Sequence, residues 1–193
     1  MKTLCVFCGS SNGRSEKYRE GAIALGKVLA ERGITLIYGG ASVGIMGTVA
    51  DTVLEHGGQV IGVIPEMLNE KEIAHPNLTE LHVVDSMHAR KAKMAELADG
   101  FVALPGGPGT LEEFFEIFTW AQLGEHYKPC GLLNIHHYYD PIISLFDHMV
   151  EQQFMKEEHR SIAIVASDPE TLLEKFNAYE PPHLKKWINK EQT

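Results

Sequence analysis

Short apolar runs alternate with segments of helical periodicity along the whole chain, and this alternation most constrains the fold. The runs predict buried strands, and the segments between them predict amphipathic helices. The predicted strands are Leu4–Cys8, Thr35–Tyr38, Val60–Ile64, Leu81–Val84, Phe101–Leu104, Gly131–Asn134 and Ile162–Val165. The predicted helices are Glu16–Glu31, Gly44–His56, Met87–Ala98, Leu111–Leu123, Pro141–Gln153 and Pro169–Tyr179. Such alternation indicates a doubly wound, Rossmann-like α/β fold, in which helices cover both faces of a mainly parallel sheet.

The length of the chain fits one such unit. Its 193 residues contain no linker, internal repeat or low-complexity tract, so we expect a single nucleotide-binding α/β domain over residues 1–193. From about residue 180 the tail "EPPHLKKWINKEQT" is polar and broken by prolines. Trp187 in this tail is a candidate anchor onto the body of the domain or onto a partner subunit.

Charge and hydropathy disfavour two classes of partner. The net charge of −9 argues against a nucleic-acid scaffold, because such a protein normally presents a basic face. No apolar run approaches the length of a membrane span, and the start "MKTLCVFCGSS" enters a strand without the layout of a signal peptide. We therefore expect a cytoplasmic protein with neither a nucleic-acid nor a membrane partner.

Three turns between a strand and a helix are rich in glycine: "CGSSNGRS", "YGGASVGIMG" and "LPGGPGT". Each follows the carboxyl end of a strand, so all three should lie on one edge of the sheet, where ligands of this fold class bind. Free N–H groups and the positive end of a helix suit an anion, most often phosphate. One such turn alone is compatible with a tight connection that binds nothing, but three on one edge predict a nucleotide site.

Several nucleotide and metal sites are excluded by their motifs. A dinucleotide site requires G-x-G-x-x-G after the first strand and an acid at the end of the second, whereas this chain has "CGSSNG" and "IYGGA". A P-loop motif is absent as well. The pair in "CVFC" lies in an apolar strand and predicts buried thiols, and "NIHHYY" has no further ligand at helical spacing. We expect neither a metal nor another cofactor.

The segment "DSMHARKAKMAELADG" supplies candidate cations for an anion site. Arg90 and Lys91 lie early in a helix that follows a strand end, from which they could reach the glycine-rich edge. A solvated basic helix face is the alternative, and the spacing alone favours neither. For Lys93 we prefer the solvated face, because Glu96 three residues later can pair with it.

The helix after "LPGGPGT" carries two adjacent acids, Glu112 and Glu113. We expect Thr110 to cap this helix. Its predicted buried face consists of Leu111, Phe114, Phe115 and Phe118. An acid near a helix N-terminus is favourable whatever its function, so the periodicity does not choose between the two glutamates.

Two motifs identify a family resemblance. "PGGPGTLEE" fits the signature P-G-G-x-G-T-x-x-E, and "MHARKAKM" fits its companion segment, of the LONELY GUY family. These proteins are cytokinin riboside 5′-monophosphate phosphoribohydrolases, many of which carry the older label of lysine decarboxylase. The likeness extends through "CVFCGSS", "YGGASVGIMGTVAD", "VIGVIPEML" and "TWAQLGEHYKP", so it covers nearly the whole chain.

The resemblance implies an enzyme that hydrolyses the N-glycosidic bond of a purine nucleoside 5′-monophosphate, plain or N6-modified. The products are the free base and ribose 5-phosphate. A decarboxylase would require pyridoxal phosphate on a lysine, and no motif supports that chemistry. Two alternatives stay open: a nucleotide-binding module of the same fold without catalysis, and an enzyme that passes the sugar to another base.

The resemblance also assigns residues. The implied substrate contacts are Glu72, Arg90, Lys91, Gly107, Pro108, Gly109, Thr110, Leu111, Glu112, Glu113 and Thr119. Residues 107–110 would hold the phosphate through N–H groups and a hydroxyl, although Pro108 removes one N–H donor from this loop. Arg90 and Glu113 resemble the catalytic pair.

A homodimer is implied by the resemblance too. Four aromatic residues on one helix give more bulk than a single buried stripe usually needs, which favours a subunit interface. These residues are Phe114, Phe115, Phe118 and Trp120. The alternative is that all four rings pack inside one subunit.

Overall fold

A computed structural model describes residues 1–69 and 74–182 of the chain. The strands are β1 (Thr3–Phe7), β2 (Thr35–Tyr38), β3 (Val60–Pro65), β4 (Glu80–Val84), β5 (Phe101–Ala103), β6 (Cys130–Leu133) and β7 (Ala163–Ala166). The helices are α1 (Glu16–Glu31), α2 (Gly44–Glu55), α3 (Glu66–Asn69), α4 (Met87–Leu97), α5 (Pro108–Gln122), α6 (Asp140–Glu151), α7 (Glu157–Arg160) and α8 (Pro169–Asn177). A 3₁₀ turn spans Ile135–His137.

The seven strands form one parallel sheet in the order β4-β3-β2-β1-β5-β6-β7. From β1 the chain builds outward to the edge strand β4. It then returns through α4 to the other side of β1 and continues outward from β5 to β7. The strand order therefore switches between β1 and β5, where Phe7 pairs with Ala103. Beyond the carboxyl ends of these two strands lies the crevice in which such sheets bind ligands.

Strand side chains alternate between two apolar cores, one on each face of the sheet. In β1, Leu4 and Val6 point to the core that contains residues of α1, α2 and α8. Cys5 and Phe7 point to the core that contains residues of α4, α5 and α6. The predicted doubly wound α/β fold is thus confirmed.

Each predicted strand and helix is present, with ends that differ by at most three residues. The short helices α3 and α7 were not predicted, because four residues show no usable periodicity. The predicted buried thiols are confirmed at Cys5 and Cys8, and Cys130 is buried as well. Trp187 and the tail from residue 183 onward lie outside the described residues.

The four aromatic residues of α5 pack within their own subunit. Phe114 and Phe118 are fully buried, and Phe115 and Trp120 lie partly buried against the same core. Phe146 of α6 completes the cluster by stacking against Phe115 and Phe118. Phe114 and Phe118 are therefore explained by packing within one subunit, whereas Phe115 and Trp120 keep exposed surface, and the predicted dimer stays a prediction.

Over residues 1–69 and 74–182, each helix is too short or too polar to cross a membrane.

Candidate functional site

A cavity of about 680 Å³ opens at the carboxyl edge of the sheet, above the switch between β1 and β5. All three glycine-rich turns border it, which confirms that they lie together. The first contributes Gly9 and Ser10, the second Gly39 and Ala41, and the third residues 107–110. The other lining residues are Val6, Cys8, Val43, Met46, Ile64, Leu68, Met87, Arg90, Met94, Glu112 and Glu113.

The glycines of the third turn serve two different purposes. A Cβ on Gly106 would lie 2.1 Å from Oγ1 of Thr110 and 2.8 Å from the backbone N of Gly9, so packing requires glycine there. A Cβ on Gly107 or Gly109 would meet no other atom within 4 Å, and neither residue has a positive φ. The fold therefore does not require glycine at these two positions. Their bare backbone leaves open space at the cavity wall in which a ligand can contact the main chain.

Helix α5 begins three residues earlier than predicted, and this changes the role of Thr110. Gly107 is the N-cap and Pro108 the first helical residue, because the fixed φ of proline suits that position. Thr110 is buried inside the first turn and is not the cap, so that expectation is wrong. The N–H groups of Gly109 and Thr110 have no carbonyl partner within the helix. With the helix dipole they form an anion-binding end beside the cavity.

An ion pair joins α4 to α5 at the wall of the cavity. An amino group of the Arg90 guanidinium, Nη2, donates to Oε1 of Glu113, and the two side chains are only 11% and 10% exposed. Burial raises the pKa of Glu113, and the Arg90 charge and hydrogen bond oppose this shift. A carboxylate of raised pKa accepts a proton more readily than an ordinary one.

The guanidinium of Arg90 keeps a further donor available. Its Nε is buried and makes no hydrogen bond within the part of the chain that the structure describes. A buried donor without a partner is unfavourable, and an oxygen of a bound anion would satisfy it. The cavity wall thus offers an anionic ligand both backbone N–H groups and a guanidinium.

Two tyrosines that the sequence analysis missed support the glycine loop from below. Oη of Tyr138 donates to the carbonyl of Gly106 over 2.5 Å, and Oη of buried Tyr139 donates to the carbonyl of Leu104 over 2.6 Å. Both residues follow the carboxyl end of β6, next to β5. The available signal was their position after the carboxyl end of a strand.

The cavity also has an apolar lining, here called the apolar wall, which the sequence analysis missed as well. It is formed by Val6, Val43, Met46, Ile64, Leu68, Met87 and Met94. Val43 and Met87 are 41% and 42% exposed, so the mouth of the cavity presents apolar surface to solvent. Sequence periodicity does not separate such residues from those of the core.

Of the substrate contacts implied by the resemblance, three do not line this cavity and a fourth lies outside the described residues. Lys91 is paired with two carboxylates of α5. Leu111 packs partly buried against the core beneath α5. Thr119 is exposed, and its hydroxyl donates to the carbonyl of Phe115 over 2.7 Å. Glu72 lies outside the described residues.

Comparisons with known sequences identify one family. A family model described as "Possible lysine decarboxylase" matches residues 46–176. A probable cytokinin riboside 5′-monophosphate phosphoribohydrolase of Oryza sativa subsp. japonica is 50% identical over 185 residues, which cover 96% of this chain and 76% of the relative. A cytokinin riboside 5′-monophosphate phosphoribohydrolase of Rhodococcoides fascians is 52% identical over 170 residues, which cover 88% of this chain and 86% of the relative.

Solved structures of low sequence identity share the fold. The molybdenum cofactor carrier protein of Chlamydomonas reinhardtii has a TM-score of 0.67 and 20% identity, with 92% of this chain and 98% of that one covered. The molybdenum cofactor binding protein of the phototrophic bacterium Rippkaea orientalis has a TM-score of 0.68 and 21% identity, with 92% and 97% covered. This likeness shows the architecture alone.

Because the space around Gly109 is open, we expect its replacement by alanine to increase the stability of the protein and to weaken ligand binding. Gly109→Ala should raise the free energy of unfolding by up to about 1 kcal/mol, because alanine favours a helix over glycine. The same methyl group would intrude where a phosphate approaches, so the affinity for AMP should fall about tenfold or more. Urea unfolding and isothermal titration calorimetry measure the two effects.

Gly33→Ala is the matched control for this prediction. Gly33 has a φ of +64° and open space around it, and it lies outside the cavity lining. Its replacement should lower the free energy of unfolding by about 1 kcal/mol and leave AMP binding unchanged. If Gly109→Ala binds AMP as tightly as the wild type, the loop backbone does not contact the ligand.

Proposed function

The chain belongs to the family of cytokinin riboside 5′-monophosphate phosphoribohydrolases, and we propose that it hydrolyses the N-glycosidic bond of a purine nucleoside 5′-monophosphate. The products are the free base and ribose 5-phosphate. The observation that carries this proposal is the buried Arg90–Glu113 ion pair beside a glycine loop whose backbone is open to the cavity. A carboxylate and an anion-binding backbone supply two of the elements that this hydrolysis needs.

The description "Possible lysine decarboxylase" is not the chemistry we propose. Decarboxylation with pyridoxal phosphate requires a lysine that can form a Schiff base at the site. Among the described residues, the cavity lining contains no lysine. Lys91, on the helix that carries Arg90, is held by two carboxylates.

The 5′-phosphate anchors the substrate in the proposed mechanism. Its oxygens accept hydrogen bonds from the N–H groups of Gly109 and Thr110 at the start of α5, where the helix dipole favours negative charge. The buried Nε of Arg90 supplies a further donor on the same wall. This anchoring fixes the ribose beside Glu113.

Cleavage of the N-glycosidic bond develops positive charge on the ribose ring, as in glycoside hydrolysis. The carboxylate of Glu113 stabilises that charge and orients the attacking water. The electron pair of the broken C–N bond leaves with the base, which takes up a proton from solvent. As the new C–O bond forms, Glu113 accepts a proton from the attacking water, and its raised pKa favours this transfer. Arg90 keeps the carboxylate ionised and in position before the reaction.

The apolar wall supports a substrate with an apolar group on its base. Phosphate and ribose contact the glycine loop, Arg90 and Glu113, which leaves the apolar lining, including Met46, Met87 and Met94, to the base. Burying a hydrocarbon substituent there would cover the exposed mouth of the cavity, and each buried methylene contributes about 0.8 kcal/mol. We therefore propose N6-alkylated AMP as the preferred substrate class.

A homodimer and a cytoplasmic location belong to the same proposal. The family resemblance implies that Thr119 contacts substrate, yet this residue is exposed on α5 and does not line the cavity of its own subunit. A second copy packed against α5 would allow Thr119 to reach the cavity of the partner. The three free thiols suit a reducing compartment such as the cytoplasm.

The catalytic assignment is tested by Glu113→Gln. Glutamine keeps the size of the side chain but removes its charge, so AMP binding and folding should persist while turnover falls by about a hundredfold or more. Glu112→Gln should cost less, because Glu112 is 59% exposed and is not part of the Arg90 pair, and Lys91 then keeps its contact with Glu116. Base release is followed by chromatography, with calorimetry and circular dichroism as controls.

Two results would contradict this assignment. If Glu113→Gln cleaves AMP at the wild-type rate, Glu113 has no catalytic role and serves only as a charge at the start of α5. Tight AMP binding by the wild type without release of adenine would indicate a nucleotide-binding module instead of an enzyme.

The substrate proposal is tested with adenosine, AMP and N6-isopentenyl-AMP. Adenosine should be cleaved at least about a hundredfold less efficiently than AMP, since without phosphate the N–H groups of the loop lose their partners. N6-isopentenyl-AMP should exceed AMP in kcat/KM by about tenfold or more, through burial of its hydrocarbon chain. Comparable turnover of adenosine and AMP would refute the phosphate site, and a preference for AMP would refute the role of the apolar wall.

The dimer is tested by light scattering at micromolar concentration. We expect twice the 21.4 kDa mass of the chain. Thr119→Arg should weaken the dimer and lower turnover together, because the longer charged side chain would disturb the packing of the second copy. A monomeric mass for the fully active wild-type protein would contradict this arrangement.

A further inference from the structure

A second ion-pair bridge between α4 and α5 lies directly beside the Arg90–Glu113 pair. Nζ of Lys91 is 2.6 Å from Oε1 of Glu112 and 3.0 Å from Oε2 of Glu116. The Lys91 side chain is only 9% exposed. Glu112 and Glu116 are one helical turn apart, so their carboxylates hold the amino group from two successive turns of α5.

The two ion-pair bridges are formed by adjacent residues, but only in one of them do both partners line the cavity. Arg90 and Lys91 are consecutive in α4, and their partners Glu113 and Glu112 are consecutive in α5. Arg90 and Glu113 line the cavity, whereas Lys91 and Glu116 do not. Lys91 is therefore directed at the helix contact and not at the ligand space of its own subunit.

Helix α4 packs on the sheet through Met94, with Ala95 and Leu97 partly buried against the same core. Toward α5 it presents two charged side chains, Arg90 and Lys91, each paired with a carboxylate of α5. The contact of Lys91 therefore adds a second ionic link between α4 and α5, next to the Arg90–Glu113 pair. A small shift of α4 would move the guanidinium of Arg90 relative to Glu113, and displacements of about 1 Å at a site can cost a hundredfold in rate.

We propose that Lys91, Glu112 and Glu116 form a positioning cluster that fixes α4 against α5 and so holds Arg90 in register with Glu113. This proposal rests on the proposed function. Lys91 acts through the two glutamates and does not contact the phosphate of the substrate bound to its own subunit. Glu116, which the family motifs do not include, becomes a functional residue.

The cluster also adjusts the charge state of the catalytic acid. The largest effects on the pKa of Glu113 are burial, which raises it, and Arg90, which lowers it. Two smaller effects come from the cluster: Glu112 raises this pKa and Lys91 lowers it. Burial alone would lower the pKa of Lys91, but its two carboxylate partners raise it above its ordinary value. Lys91 therefore stays charged while Glu113 titrates.

Two thiols of β1 complete the surroundings of Glu113. Cys5 and Cys8 lie close enough for its charge to affect them, and burial raises the pKa of both. They stay neutral while Glu113 titrates. We therefore expect the pKa of Glu113 to rise when the charge of Lys91 is removed and to fall when that of Glu112 is removed.

The central experiment compares Lys91→Met, Glu116→Gln and the double variant in base release from AMP. Each single change should lower kcat by roughly tenfold to a hundredfold and leave KM for AMP within about twofold. The double variant should lose no more than the worse single variant, because both changes break one contact. Lys93→Met, which removes an exposed cation of α4 paired with Glu96, should match the wild type.

The pH profile of kcat separates a positioning role from simple loss of structure. Turnover requires ionised Glu113, so its acid limb follows the pKa of that carboxyl. We expect the limb to move to higher pH in Lys91→Met and to lower pH in Glu112→Gln. Lys91→Arg retains the charge and should keep the wild-type limb. An unmoved limb in Lys91→Met would overturn the proposal.

Direct contact between Lys91 and substrate would give a different result. In that case KM for AMP would rise in Lys91→Met, while Glu116→Gln would retain the wild-type kcat because it leaves the amino group in place. Either observation would overturn the positioning cluster. Circular dichroism and urea unfolding establish that each variant is folded, and Glu116→Gln and Lys91→Arg keep the test valid if Lys91→Met does not fold.

A titration independent of catalysis distinguishes failure of this inference from failure of the proposed function. The carboxyl carbon of Glu113 is followed by NMR in protein labelled with carbon-13 at glutamate. A higher pKa in Lys91→Met than in the wild type supports the cluster even if neither protein releases base. An unchanged pKa overturns the cluster even if the wild type is an active hydrolase.

Discussion

The candidate site depends on one buried ion pair, between Arg90 of α4 and Glu113 of α5. Two charges taken out of water are costly, and the loss of either partner leaves the other uncompensated at about 3–5 kcal/mol. The stability of the pair therefore depends on the geometry that keeps both charged groups in contact. That geometry comes from α4, which returns from the edge strand β4, and from α5, which starts at the glycine loop.

The glycine loop shows how one motif serves packing and ligand contact at adjacent positions. Gly106 is required because the backbone of Gly9 and the side chain of Thr110 approach it closely. Gly107 and Gly109 face open space, so their small size is useful only to something outside the chain. The hydroxyl groups of Tyr138 and Tyr139 hold the loop from below and keep this open backbone in place.

Periodicity predicted the fold well, because each strand is bounded by turns and each long helix buries one stripe. It also predicted that the glycine turns lie at one edge of the sheet, since parallel strands end on the same side. It did not reveal the apolar wall, because Met46 and Met94 have the same pattern as core residues. Nor did it choose between Glu112 and Glu113, which differ by burial against α4 and not by position in the sequence. Thr110 was misplaced because proline moved the helix start to Pro108.

The strand order has a consequence for when the site comes into existence during folding. Gly9, Gly39 and Arg90 belong to the half of the sheet that grows outward from β1 to β4, and the glycine loop belongs to the half that begins at β5. Neither half contains a cavity alone. Under the proposed function, a nascent or partly unfolded chain lacks the complete cavity, and ligand binding would report that both halves have docked along β1 and β5. Since a ligand stabilises only the state that binds it, a bound nucleotide would stabilise the docking of the two halves of the sheet along β1 and β5.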